Sequence, residues 1–125
     1  ASLIGMQGAS YTGVSQTGFP DASQTGTANS GATMDTTVTT VANNAWHWVG
    51  IRNDNTGTIS AGGIMRDNSL FGGVQSIADS NAAITPAGAH TITFSSTITN
   101  ANWLSISFAP AAAAASTIED LIIFE

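Results

Sequence analysis

The chain has 125 residues, no cysteine, two arginines and no lysine against eight acids, giving a net charge of −6 with only 8% of residues charged. That length suits one domain, and no apolar run approaches the ~20 residues a bilayer-spanning helix needs, so membrane insertion is not expected. Nucleic acid and anionic membrane surfaces are bound by clustered Lys and Arg, so neither is an expected partner.

Taken in order, the elements are short and alternate with period two, and helical periodicity is nearly absent. The opening SLIGMQGASYTGV reads as a glycine-rich strand with Leu3, Ile4, Met6 and Tyr11 as packing residues. SQTGFPDASQTGTANSGA is poor in hydrophobes and crowded with Gly, Ser, Thr and Asn, which predicts a long surface loop. TMDTTVTTV is rich in β-branched residues and predicts a strand. AWHWVGIR follows, with Trp46 and Trp48 on one face and Ala45, His47, Val49 and Ile51 on the other. NDNTG turns into TISAGGIMR, a strand weakened at Gly62 and Gly63 where a bulge is expected. After a DNS turn come LFGGVQSIAD, a loop through Pro86 and Gly88, and HTITFSSTI with Ile92 and Phe94 facing one way. NANWLSISFAP sets Leu104, Ile106 and Phe108 against Trp103, Ser105 and Ser107.

About eight short strands with regular turn signals predict an all-β, two-sheet sandwich. Without the cysteine pair of immunoglobulin domains, a jelly-roll-like form is favoured. The domain is expected over residues 1–110, with 111–125 as an Ala-rich linker and C-terminal strand. Starting at Ala1 fits initiator removal, signal-peptide cleavage or excision from a longer polypeptide.

Catalytic chemistry is not expected. His47 and His90 sit in strands without a carboxylate at a spacing that would fix a tautomer, and no nucleophile elbow accompanies them. Asp54, Asp67 and Asp79 are expected in three separate turns, NDN, RDNS and ADSN, of the kind that make Asx-turns, and they are the weak candidates for a calcium site. No cofactor is expected. Trp46, Trp48 and Trp103 with Tyr11 can be read as core or interface aromatics, or as a flat platform for a glycan. Arg52 and Arg66 each precede a turn, where pairing with Asp54 or Asp67 is expected.

The segment STIEDLIIFE is the most informative. Read as a strand, it puts Ile118, Ile122 and Phe124 on one face and Leu121 and Ile123 on the other. Such a strand cannot stand unpaired at a sheet edge without inviting aggregation. The preceding PAAAAAS can extend to about 23 Å, enough to reach the chain's own second sheet or that of a neighbour.

GASYTGV near the start, IADSNAAITPAGAHTITF in the middle and NWLSISFAPA near the end resemble a β-sandwich module of tailed-phage structural proteins and secreted bacterial proteins. The resemblance spans residues 1–112 and leaves STIEDLIIFE outside. It implies a non-enzymatic module for decoration, fibre or adhesion, in a virion or extracellular. The expectation is therefore a structural self-assembly protein that contacts copies of itself and other structural proteins of the same assembly through β-strands. Its rival is a carbohydrate-binding or adhesion module, with or without calcium.

Overall fold

The computed structural model describes residues 8–70 and 74–113. Residues 1–7 and the segment carrying Ile118, Leu121, Ile122, Ile123 and Phe124 lie outside the described residues. Eight strands are present: β1 (Ala22–Ala28), β2 (Gly31–Thr39), β3 (Trp46–Asn53), β4 (Thr58–Ala61), β5 (Ile64–Leu70), β6 (Val74–Asp79), β7 (Ala89–Ile98) and β8 (Ala101–Phe108). They form a two-sheet β-sandwich, with order β1-β8-β3-β6-β5 in one sheet and β2-β7-β4 in the other. Every pairing between these strands is antiparallel. The nesting of first with last, second with seventh and third with sixth is jelly-roll-like; β5 joins β6 on the edge of the larger sheet.

Three expectations are corrected. The stretch read as a long loop contains β1, a polar strand that pairs along β8 from Ala22↔Ser107 to Ala28↔Ala101. An edge strand needs few apolar side chains, so hydrophobic alternation gave no signal for it. In the supposed opening strand, the described residues Gly8–Val14 make only an isolated bridge, Val14↔Pro110. TISAGGIMR is two strands in different sheets, split at the glycine pair, and the ladder irregularities fall beside it, at Ile59/Ala61 and Met65/Asp67. Gly62 has φ +76°, and a Cβ there would overlap the Thr91 carbonyl oxygen. The chain can pass between sheets this closely only without a side chain.

The core lies between the sheets and has two halves. Its apolar half comprises Met34, Val49, Ile51, Ala78, Ile92, Phe94, Ile98 and Ala101. Trp103 packs against it, with its indole over Gly26 of β1. The other half is polar: Thr36, His47, Ser105 and Ser107 are fully buried. Burying such groups is tolerable only when they are hydrogen-bonded, and among the described residues none is left unsatisfied. Thr36 Oγ1 donates to the Ile92 carbonyl at 2.9 Å, and Ser107 Oγ donates to Asp21 at 3.0 Å. This polar half has a consequence for β8. Ser105 and Ser107 point inward, so Leu104, Ile106 and Phe108 point away from the partner sheet.

Candidate functional site

The two outer faces of the sandwich differ in chemistry. On the three-stranded sheet the outer side chains form a hydroxyl ladder. Thr37 and Thr91 share a hydrogen bond at 2.7 Å, Thr93 donates to Asp35 at 2.7 Å, and Ser95 donates to Ser60 at 2.8 Å. On the five-stranded sheet the outer side chains are Trp46, Trp48 and Arg52 from β3, with Leu104, Ile106 and Phe108 beside them on β8. Leu104 is 42% exposed and Ile64, on the β5 edge, 41%. Both arginines also lie on this face.

The chain before β1 covers one end of this face. Tyr11 packs against Phe108 and Trp46 at centroid distances of 5.0 and 6.2 Å, and Phe19 stacks on Phe108 at 5.4 Å. Beneath them Tyr11 Oη donates to Asp79 Oδ2 at 2.8 Å. Arg66 donates to both oxygens of Asp79, at 2.8 and 2.9 Å, and to Asn81 at 3.0 Å. The Asp79 side chain is only 2% exposed. Burial alone would raise its pKa, but the Arg66 and Tyr11 hydrogen bonds outweigh that and hold it below the ordinary carboxylate range. The Tyr11 hydroxyl is pushed up by burial and by donating to that carboxylate.

At the other end the face is open. Gly50 lies mid-strand in β3, between Leu104 on β8 and Ile77 on β6. A groove of about 460 Å³ lies here, with Trp48, Ile77 and Leu104 among its lining residues and Arg52, Gln75 and Asn102 at one end. The Trp48 ring leans over Gly50, and a Cβ there would come within 2.8 Å of its edge.

The candidate residues are thus sorted. Trp46, Trp48 and Tyr11 share the outer face, while Trp103 packs inside, so the four do not form one platform. Asp54 pairs with Arg52 at 3.3 Å, as expected. Arg66 pairs with Asp79 rather than Asp67, because the β5–β6 ladder brings Asp79 across from its side of the strand. Asp67 and Asp79 lie in strands rather than turns. Asp54, Asp67 and Asp79 are not gathered, and among the described residues no group of three or more His, Cys, Asp or Glu could hold a metal ion.

One cluster was not foreseen. His47 Nδ1 and His90 Nδ1 lie 3.0 Å apart, and His47 Nε2 is 2.8 Å from Ser105 Oγ. The rings come from different sheets and meet edge-on. A 3.0 Å contact between two Nδ1 atoms requires one to hold the proton and the other to accept it. Burial, then the neighbouring His90, lowers the His47 pKa to about 4; burial also lowers that of His90. The Ser–His order resembles an activated nucleophile, yet Ser105 and His47 are both 0% exposed. As built, the cluster ties the two sheets together from within.

No protein-family model matches the chain, and no curated protein or solved structure matches it.

Proposed function

We propose that this chain is a non-enzymatic structural self-assembly protein, a component of a virion surface or an extracellular filament. The observation that carries the reading is the asymmetry of the two outer faces. One is a ladder of hydroxyls, while the other presents Trp48, Ile64, Leu104 and Ile106 beside an aromatic cluster. Apolar side chains presented on one outer face, with hydroxyls on the other, support an interaction role for the apolar face. The surface also has only two cationic side chains to desolvate. The C-terminal sequence supplies a matching element, with Leu121, Ile122, Ile123 and Phe124 in a run that needs a partner. Sedimentation velocity on the full chain and on its Leu121→Asp/Ile123→Asp variant tests this. Self-association in the first that is lost in the second is the expected result. Equal sedimentation of the two as monomers refutes it.

A second reading has one observation in its favour. Trp48 beside Arg52 and Asn102 in the Gly50 groove combines an aromatic wall with hydrogen-bonding groups, as carbohydrate recognition requires. A glycan array that finds a ligand whose binding is lost in Trp48→Ala would favour an adhesion module instead.

A further inference from the structure

We infer that His47 and His90 form a proton-operated latch between the two sheets, closed while the pair holds at most one extra proton and open when both rings are charged. Opening parts one end of the sandwich and leaves the other end joined. The latch stands apart from the assembly reading and works alike in a monomer or an assembly.

β3 and β7 belong to different sheets and are tied to each other at both ends. At one end the tie is the 3.0 Å contact between His47 Nδ1 and His90 Nδ1, from the second residue of each strand. At the other end Asn53, the last residue of β3, donates through Nδ2 to Ser96 Oγ and to the Thr97 carbonyl of β7, both at 3.1 Å. Its Oδ1 accepts from the Thr99 amide at 3.1 Å. Val49 and Ile51 of β3 and Ile92 and Phe94 of β7 are buried in the apolar core between these ties. Side-chain amides and hydroxyls keep their protons throughout the acid range, so the Asn53 tie is indifferent to acid. The histidine tie is not, because imidazole changes charge just below neutrality.

Counting protons shows where the latch fails. Two neutral rings share one N–H between the facing nitrogens. One extra proton is compatible with the contact: His90, half-buried and nearer solvent, still donates from Nδ1 to the lone pair on His47 when it becomes an imidazolium. With both rings charged, both facing nitrogens carry hydrogen, leaving two donors, no acceptor and like charges in a buried space. The surrounding elements supply nothing to offset this. From β8 comes the Ser105 hydroxyl at 2.8 Å from His47 Nε2, and Ser80 Oγ, after β6, accepts from the His47 amide at 3.3 Å. β2 sets Val38 across from His90. Asp21, just before β1, is taken up by the Ser107 hydroxyl and the Val41 and Ala42 amides, and Asp79 by Arg66. Among the described residues neither ring has a carboxylate partner. Burial already holds both rings below the ordinary histidine range, His47 at about 4.

The chain has only two histidines, so NMR of the full chain follows each imidazole directly. The nuclear Overhauser signal between the two rings, whose centroids are 5.3 Å apart, reports the latch. The signal between the Asn53 side-chain amide and Thr97 reports the other end. As the pH is lowered from neutrality to below 4, His90 should protonate first with the inter-ring signal intact. That signal should then fall several-fold as His47 charges, while the Asn53–Thr97 signal stays. Loss of both signals together, or an inter-ring signal that survives with both rings charged, overturns the inference. His90→Gln separates the latch from the plain cost of burying one charge. Glutamine cannot take the second charge, and its carbonyl oxygen can accept from a protonated His47. The contact between positions 47 and 90 should therefore persist below pH 4 in this variant. Parting there as in the wild type also overturns the inference, and the wild-type titration decides alone if His90→Gln does not fold.

Discussion

Acidification should loosen the sandwich through His47. The ring is fully buried, with one nitrogen on Ser105 and the other on His90 of the opposite sheet. A proton added to His47 places a positive charge in the buried space between β3 and β7. Asp21 accepts from the neighbouring Ser107 hydroxyl at 3.0 Å. The native pKa of His47 is about 4 against 6.5 unfolded. Above pH 6.5 both states are neutral and the ring contributes nothing to pH dependence. Below it the unfolded chain takes up a proton that the native state refuses, so stability falls, and the fall levels off once the native ring protonates near pH 4. Between pH 7.5 and 5.0 the loss works out at about 2 kcal/mol from this group alone. Urea unfolding at the two pH values measures it, with His47→Gln as the reference. The wild-type midpoint should drop markedly at pH 5.0, and the variant should lose most of that dependence. Equal stability of the wild type at both values, or the same drop in the variant, would refute the reasoning.

Three further outcomes follow from the packing. Arg66→Met leaves the Asp79 carboxylate, 2% exposed, without its cation, and should cost about 3–5 kcal/mol in urea unfolding at neutral pH. Tyr11→Phe removes one hydrogen bond to the same carboxylate and should cost about 1–3 kcal/mol, less than Arg66→Met; the reverse ranking would mean that Arg66 does not hold Asp79. Gly62→Ala forces a side chain into a left-handed backbone against the Thr91 carbonyl and should destabilise by at least ~1–3 kcal/mol, whereas Val41→Ala, at a residue 74% exposed, should change stability by less than about 0.5 kcal/mol.

The sandwich was legible because its central strands obey simple alternation. TMDTTVTTV, AWHWVGIR and HTITFSSTI appear as β2, β3 and β7 within a residue or two. β1 escaped notice because its core-side positions, Ala22, Gln24, Gly26 and Ala28, carry no large apolar residue across from β8. The glycine pair at Gly62–Gly63 was recognised as a weak point, but a crossing between sheets and an in-strand bulge share the same local sequence. In β8 the alternation was read correctly while its direction is opposite to a simple hydrophobic-in rule. Ser105 and Ser107 turn inward because His47 and Asp21 await them there. That preference resides in β3 and in the residues just before β1, not in NANWLSISFAP itself.

The candidate site was legible only in its aromatic residues. Trp46 and Trp48 on one face, and Trp103 opposite Leu104 and Ile106, follow from period two. The groove depends on register, since only the pairings of β3 with β6 and β8 bring Ile77 and Leu104 to either side of Gly50. The His47–His90 contact likewise requires two sheets to be stacked, across 43 residues of chain. The Arg66–Asp79 pair depends on the β5–β6 register and displaced the closer Asp67 as the expected partner.

The central claim is that this chain assembles with copies of itself, and light scattering on the full wild-type chain tests it most directly. Measured over a range of concentrations at neutral pH, the mass should rise to a multiple of 12.6 kDa. A mass that stays at 12.6 kDa at every concentration contradicts the claim and turns attention to the groove as a site for a small ligand.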